Sequence, residues 1–469
     1  MGVAKGLERL AAEKGALGDS AARKRLLALF DEGSFTELDR FAKNGDKPCE
    51  VITAYGSIAG APAYAFSQDV SVSSGAMGRV QAQKIARVYD LAAENGLPVV
   101  GIYDSNGAHL DEGADALAAY GDLIGKSNRL SGVVPQISVV LGACIGSSAL
   151  LASLADVTVM AEGAEFYCVS PAIAGDKSGR VGTADTAAKN GAAHLVAADE
   201  EAALEYVKTL LSLLPGNNLS VAPLADYAPA AGDAAALGAG DSPVKVLEAV
   251  ADADSILELS AVFGPCAHTY LCRIGGSPAG VVANDGEKEG RMCADACVKI
   301  ARFVRMCDAY SIPVVTFVDT AGFVANKETE LSGSVKEAAL LTHAYAEATT
   351  QKIAVITGKA YGPAYIALAG RASGADVVYA WPDAVISALE PLTAVSVLYK
   401  DRIQAGEKRE DLAAAYVQQA ASAFDAAALG YVDDVIEPAE TFQRIATALD
   451  MLSGKRVTTL SKKHSNMPL

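Results

Sequence analysis

The residues best suited to chemistry in this 469-residue chain are glycine-rich turns, in which backbone amides would act in place of side chains. The clearest is 358–365, Gly-Lys-Ala-Tyr-Gly-Pro-Ala-Tyr, which follows the apolar run 353–356. This order predicts a strand, a tight turn and a helix start, because glycine accepts positive φ angles and a helix start leaves amides unpaired. Such amides stabilise an oxygen that becomes negatively charged, but Pro363 has no N–H to donate.

Side chains offer weaker candidates for chemistry. The histidines lie far apart in the sequence, and neither a Gly-x-Ser-x-Gly hydrolase motif nor a GxxxxGK[ST] nucleotide motif occurs. His109 follows the turn at Gly107, and a surface position is a better default for it than substrate contact. Asp104 and Asp319 follow strands, and capping the next turn is a better default for them than acid-base catalysis. No spacing of ligands indicates a metal site.

Composition narrows the class of protein. Apolar residues make up 51% of the chain, which excludes disorder, and the net charge of −17 argues against a nucleic-acid partner. The eight cysteines form neither a CxxC pair nor a short secreted framework, so we expect reduced thiols in the cytoplasm. Residues 137–155 carry no charge and are long enough to mimic a membrane span. Glycines and serines interrupt that segment, which therefore predicts buried core.

The chain contains an internal repeat. The run Lys-Ile-Ala-Arg at 84–87 returns at 299–302, and Pro-Val-Val at 98–100 returns at 313–315, in both cases after 215 residues. Helical apolar faces alternate with short apolar runs inside each copy. The pattern predicts two copies of one α/β domain with a largely parallel sheet. We place the boundary in the Pro- and Gly-rich stretch, near residue 230, which gives domains 1–230 and 231–469.

Each copy contains two predicted strands that end in glycine turns. These turns are 104–107 and 142–148 in the first copy, and 319–322 and 358–364 in the second. Ligands of open α/β sheets bind above the carboxyl ends of the strands. We therefore expect a crevice lined by amides in each copy, suited to an enolate or a tetrahedral intermediate. The alternative is a set of ordinary β-α turns that bind nothing.

Many ordered stretches match one known family. They include 31–37, 55–56, 66–69, 104–113, 189–194, 214–218, 301–305, 322–323, 344–349 and 359–362. In these stretches the chain resembles the carboxyltransferase subunits of biotin-dependent acyl-CoA carboxylases and decarboxylases, of the propionyl-CoA or methylmalonyl-CoA type. The resemblance implies a tandem duplication of crotonase-like domains, each a β-β-α superhelix, with the active site formed between neighbouring subunits of a dimer or hexamer.

The resemblance also implies a mechanism and a set of site residues. Carboxybiotin releases CO2, biotin N1 removes the α-proton of the acyl-CoA, and the enolate attacks CO2. One oxyanion hole, at the amides of Gly107 and Ala108, would bind the thioester oxygen, and the other, around Gly362, Pro363 and Ala364, the ureido oxygen of biotin. Further residues expected to bind substrate or biotin are Asn106, Gly142, Gly146, Gly322, Phe323, Tyr365 and Ile366.

The chain departs from the family pattern at residues that are expected to bind the substrate and biotin. Asn106 and Pro363 each stand where the family usually has glycine, and Ile366 stands where propionyl-type members commonly have aspartate. The expected partners are a separate biotin carboxyl carrier, since no Met-Lys-Met attachment site occurs, and either a biotin carboxylase or a membrane decarboxylase subunit. Three alternatives stay open. They are the α subunit of a sodium-pumping decarboxylase, an impaired paralogue that binds coenzyme A or holds a carrier, and, more distantly, a hydrolase.

Overall fold

The computed structural model describes residues 2–284, 287–368 and 370–468. They form two compact units, Met1–Val221 (unit 1) and Ala222–Leu469 (unit 2). The sequence placed the boundary a little later, near residue 230, inside the same Pro- and Gly-rich stretch.

Unit 1 is an α/β domain built on an eight-stranded sheet. Its strands are β1 (Thr36–Leu38), β2 (Lys43–Asn44), β3 (Lys47–Pro48), β4 (Val51–Ile58), β5 (Ala61–Gln68), β6 (Val99–Ser105), β7 (Gln136–Ile145), β8 (Val157–Ala161), β9 (Glu165–Tyr167) and β10 (Leu195–Ala197). Its helices are α1 (Gly2–Ala16), α2 (Ala21–Leu29), α3 (Arg79–Asn95), α4 (Ala114–Leu130), α5 (Ser147–Ala152), α6 (Pro171–Ala174), α7 (Ala184–Lys189) and α8 (Glu200–Leu213). The order of the eight-stranded sheet is β1-β4-β5-β6-β7-β8-β10, with β9 added on β7, and β2 and β3 form a separate two-stranded sheet.

Unit 2 repeats this plan. Its strands are β11 (Leu257–Leu259), β12 (Ala267–Ile274), β13 (Ser277–Asn284), β14 (Val314–Thr320), β15 (Lys352–Tyr361), β16 (Val377–Ala380), β17 (Val385–Ser387) and β18 (Asp434–Val435). Its helices are α9 (Pro243–Glu248), α10 (Ala294–Ala309), α11 (Lys327–Ser332), α12 (Val335–Glu347), α13 (Gly362–Ala367), α14 (Pro391–Leu398), α15 (Lys400–Gln404), α16 (Arg409–Ala420), α17 (Ala423–Ala428) and α18 (Thr441–Leu452). The sheet order is β11-β12-β13-β14-β15-β16-β18, with β17 added on β15.

The two sheets confirm the predicted duplication. The first strands of each sheet pair antiparallel, and pairing is parallel from β5 and from β13 onward. The register between the two central strands shifts at the same place, between Tyr103 and Ser105 in unit 1 and between Val318 and Thr320 in unit 2. Strands β6 and β14 are almost wholly buried, as expected for interior strands of a parallel sheet, and most of their residues are apolar.

The uncharged segment 137–155 is core, as predicted. It forms the buried strand β7 and then the short helix α5, with a sharp turn at Gly146, where φ is +62°. In the described parts of the chain, no helix has the length and apolar character needed to cross a membrane.

Candidate active site

In unit 1 the chain leaves β6 through a turn that isolates one backbone amide. Gly107 has a φ of +100°, and its N–H donates to Ser105 Oγ at 3.1 Å. Met77 N–H donates to Gly107 O at 2.8 Å, and His109 N–H donates to Met77 O at 2.7 Å. This parallel bridge leaves the N–H and C=O of Ala108 pointing away from Met77. Ala108 is therefore the better oxyanion donor of the two amides predicted here.

Unit 2 repeats the hydrogen bonds that form this turn. Gly322 has a φ of +122°, and its N–H donates to Thr320 Oγ1 at 3.2 Å. Met292 N–H donates to Gly322 O, and Val324 N–H donates to Met292 O, both at 2.9 Å. The bridge leaves the N–H of Phe323 pointing away from Met292, as for Ala108. Each unit thus presents one amide at the end of its first central strand.

The second turn of each unit is a helix start. Gly146 and Gly362 have nearly the same φ, +62° and +59°, which favours glycine at both positions. A Cβ at Gly107 would lie 3.5 Å from Ile145 Cγ1, so the first turn of unit 1 lies against the residue that precedes Gly146. The two turns of unit 1 are therefore neighbours.

The helix starts differ in the amides they supply. Helix α5 begins at Ser147, directly after Gly146, and the first turn of a helix leaves its amides without intrahelical acceptors. The equivalent residue in unit 2 is Pro363, which has no N–H. Ala364, the next residue, keeps its N–H and lies wholly buried in the first turn of α13.

Two glycines assigned to these turns lie inside strands instead. The sequence ended the strand at Ile356, but β15 continues to Tyr361, and β7 likewise runs past Gly142. A Cβ would lie 2.1 Å from Asp104 Oδ1 at Gly142 and 2.6 Å from Asp319 Oδ1 at Gly358. These glycines therefore make room for a carboxylate on the neighbouring strand, and this packing explains them without a ligand.

Asp319 bonds to the neighbouring strand and Asp104 bonds to a helix, whereas the sequence favoured turn caps for both. Asp319 Oδ1 accepts the Lys359 amide at 2.8 Å. Asp104 Oδ2 accepts from Arg25 Nη1 at 2.8 Å, and Arg25 also donates to Glu200 from Nε at 3.0 Å. Burial lowers the pKa of Arg25, but the hydrogen bonds to Glu200 and Asp104 outweigh it, so the net pKa is raised. The acids next to the turns are structural.

A cavity of about 640 Å³ opens beside the helix start of unit 2. Four predicted site residues line it, Gly362, Pro363, Tyr365 and Ile366. Its other walls are largely apolar. They come from Gly370, Arg371, Ala372, Ser373, Ile386, Ser387, Ala388, Ala420, Asp425, Ala426, Leu429 and Tyr431. Ile366 is 55% exposed although it is apolar, which fits a wall that a ligand covers.

Sequence reasoning missed Arg291. Its Nη1 donates to Ala321 O at 3.2 Å, and its Nη2 lies 3.5 Å from an oxygen of Glu390. It therefore links the Gly322 turn to the segment that begins α14.

Burial, and then the charge of Glu390, raise the pKa of Tyr361 to about 12, so that residue stays neutral beside the turn.

No signal in the sequence marks Arg291, because the repeat places Ala76 at the equivalent position. The residues of unit 2 that complete the cavity, from Ile386 to Tyr431, were missed because they lie beyond the repeated motifs. No group of three or more His, Cys, Asp or Glu in the described ranges is arranged to hold a metal ion.

Comparison with known proteins decides the family. The model of the carboxyl transferase domain matches residues 14–467. The chain belongs to this family. Similar curated relatives are the propionyl-CoA carboxylase beta chain of Saccharopolyspora erythraea, 38% identical over 99% of this chain and 93% of the relative, and the methylmalonyl-CoA decarboxylase subunit alpha of Veillonella parvula, 36% identical over 99% and 96%.

A solved carboxyl transferase has the same fold. It is a transcarboxylase 12S crystal structure, described as a hexamer assembly with methylmalonyl-coenzyme A and methylmalonic acid bound. The TM-score is 0.93 at 32% identity, over 100% of this chain and 98% of that chain. The predicted crotonase-like α/β duplication and the predicted family are confirmed.

Proposed function

We propose that this chain transfers a carboxyl group between an acyl-CoA of the propionyl-CoA or methylmalonyl-CoA class and biotin on a separate carrier. The observation that carries the proposal is the pair of isolated amides, at Ala108 and Phe323, which the two units form with the same hydrogen bonds. Family membership supports it, because relatives are named for carboxylation and decarboxylation of these thioesters.

The amides do the chemistry that this reaction needs. In unit 1, Ala108 and the first turn of α5 would hold the thioester oxygen of an acyl-CoA as it becomes an enolate. In unit 2, Phe323 and Ala364 would hold a carbonyl oxygen next to the cavity. Removing one such donor typically costs about 3–4 kcal/mol of transition-state stabilisation.

The cavity of unit 2 fits the fused rings of biotin. Its walls are mostly apolar, and its volume of about 640 Å³ lies in the usual range of small-molecule sites. Tyr365 and Ile366 would pack against the rings, and the Ala364 amide would bind the ureido oxygen. When bound, biotin supplies the nitrogen that carries the carboxyl group. The residues of the chain hold and orient it.

Pro363 favours one alternative. It removes an amide that Ser147 keeps at the equivalent place in unit 1, so an impaired paralogue that binds coenzyme A is the competing function. We expect an active enzyme, because Phe323 and Ala364 still provide two donors.

We further propose a biotin carboxyl carrier and a second copy of this chain as partners, with either a biotin carboxylase or a membrane decarboxylase subunit completing the complex. The 12S relative is described as a hexamer assembly, which supports self-association. We place the protein in the cytoplasm, since its cysteines are thiols and its proposed substrates are coenzyme A thioesters.

The test is an assay of the purified chain with free biotin or a biotin carrier and methylmalonyl-, malonyl- or glutaconyl-CoA. Ala108→Pro removes the N–H, whereas Ala108→Gly keeps it and serves as the matched control. We expect kcat to fall about 10²–10³-fold in Ala108→Pro and only slightly in Ala108→Gly. Equal losses in both variants, with both folded by circular dichroism, would rule out the amide's role. Binding of an acyl-CoA without any turnover would establish the paralogue instead.

A further inference from the structure

Two thiols meet at the start of α10 in unit 2. Cys293 is the N-cap residue of this 16-residue helix, and both Cys293 and Cys266 are half-buried. A Cβ at Gly264 would lie 2.5 Å from the Ala296 nitrogen, so the segment that leads to Cys266 is pressed against the first turn of the helix. Both residues are partly exposed, unlike the buried cysteines.

The equivalent helix in unit 1, α3, binds a carboxylate at its start. Gly78 is the N-cap of α3, and the Glu112 carboxylate accepts the Arg79 amide at 2.7 Å. A Cβ at Gly78 would lie 2.2 Å from Glu112 Oε1, so the carboxylate fills the place of a side chain. At the repeat offset of 215 residues, Gly78 corresponds to Cys293 and Glu112 corresponds to Lys327. Unit 2 therefore lacks the carboxylate and has a sulfur on the N-cap residue itself.

The surroundings favour a negative sulfur at this position. A hydrogen bond from the Cys266 thiol lowers the pKa of Cys293 to about 6, against burial, with help from the amides of Ala296 and Cys266. Lys299 is buried one to two turns further along α10 and donates to Ser260 O at 3.2 Å. The titratable groups that interact with Cys293 include Cys266, Asp295, Cys297 and Lys299. Glu258 acts on Lys299, and Glu337 acts on Cys297.

We infer that Cys266 and Cys293 form a peroxide-reactive dithiol that closes to a reversible disulfide. The Cys293 thiolate attacks one oxygen of hydrogen peroxide, which breaks the O–O bond and gives a sulfenic acid and, after protonation, water. The Cys266 thiolate then attacks that sulfur, forms the S–S bond and releases a second water. Two thiols and one peroxide thus give one disulfide and two waters, and a dithiol reductant reverses the change.

The disulfide would act on the site of unit 2. Met292 precedes Cys293 and makes two of the hydrogen bonds that fix the Gly322–Phe323 turn. A covalent bond at Cys293 therefore constrains the residue that holds the Phe323 amide in place. This consequence rests on the proposed function, whereas formation of the disulfide does not.

The experiment treats the full-length protein with hydrogen peroxide, blocks remaining thiols with N-ethylmaleimide, and maps the bonds by mass spectrometry without reduction. We expect a Cys266–Cys293 bond that dithiothreitol removes. At pH 6, Cys293 should react with hydrogen peroxide about tenfold faster than the cysteine of an ordinary peptide, and at pH 7 about twofold faster. The advantage is limited because the larger fraction of thiolate is offset by its weaker nucleophilicity.

Three variants make the result decisive. Cys293→Ser should abolish the bond, and Cys266→Ser should leave a sulfenic acid on Cys293 that dimedone traps. Cys168→Ser, at an exposed position outside the pair, should leave the bond unchanged. A disulfide between other cysteines, or a Cys293 that reacts no faster than the peptide at pH 6, would overturn the inference. Mapped disulfide with unchanged carboxyl transfer would refute only the effect on the site.

Discussion

Replacing Arg25 by methionine should unfold unit 1 at a clearly lower temperature. Arg25 lies on α2, with 8% of its side chain exposed, and bonds the Asp104 carboxylate, which is 10% exposed. Methionine fills a similar volume but leaves the Asp104 charge buried beside Gly142. Breaking a buried pair by removing one partner costs about 3–5 kcal/mol. Glu200 contributes less, since 48% of its side chain is exposed.

The magnitude follows from the size of unit 1, which spans 221 residues. For domains of this size, 1 kcal/mol shifts the melting temperature by about 2–4 °C. A loss of about 3 kcal/mol should therefore lower the transition of unit 1 by about 6–12 °C in differential scanning calorimetry. The double variant Arg25→Met/Asp104→Asn should recover part of that loss, because it leaves no buried charge unpaired.

Lys24→Met is the matched control on the same helix. Lys24 pairs with Asp19 at 3.2 Å, but both side chains are about two-thirds exposed, so we expect a change of less than about 0.5 kcal/mol. If Arg25→Met lowered the transition no more than Lys24→Met does, the claim that the Asp104 carboxylate is structural would be wrong.

Three further variants test other parts of the account. Pro363→Ser should raise kcat up to about a hundredfold by restoring an amide, and a fall in kcat without loss of folding would contradict that role. Gly358→Ala should destabilise the fold by about 1–3 kcal/mol in urea unfolding, because its Cβ would meet the Asp319 carboxylate, whereas Gly121→Ala, in open space on α4, should not destabilise it. Burial lowers the pKa of Lys299 to about 8, so above that pH the unfolded chain binds more protons than the folded chain. The free energy of unfolding should therefore rise between about pH 8 and pH 10, and Lys299→Met should lack this rise.

The repeat made much of the fold predictable. Lys84 and Lys299 stand at equivalent positions, and both are buried and donate to a backbone carbonyl, of Val51 at 2.8 Å and of Ser260 at 3.2 Å. A local motif repeated at a fixed offset predicts the same local structure twice, although the two carbonyls that accept from these lysines are not at equivalent positions. The turns at Gly107, Gly146, Gly322 and Gly362 followed from the same logic, whereas Gly142 and Gly358 lie inside strands.

Contacts between distant segments could not be predicted in this way. Arg25 meets Asp104 and Glu200 across 79 and 175 residues, and nothing local to α2 marks that pairing. The sequence likewise ended a strand at Ile356, because Gly358 was read as the start of a turn. The structure shows that Gly358 lies inside β15 and makes room for the Asp319 carboxylate. The hydrogen bond from the Gly107 N–H to Ser105 Oγ could not be predicted either, because it depends on the φ and ψ angles of the turn, which the residue types alone do not fix.

The central claim is tested most directly by following the carboxyl group itself. The purified chain is incubated with methylmalonyl-CoA labelled with ¹³C in its free carboxyl group, with and without biotin or a biotin carrier, and the products are analysed by mass spectrometry. The account predicts propionyl-CoA that forms only when biotin is present, with the label transferred to biotin. Methylmalonyl-CoA that binds but yields the same products without biotin, or none with it, would contradict the account.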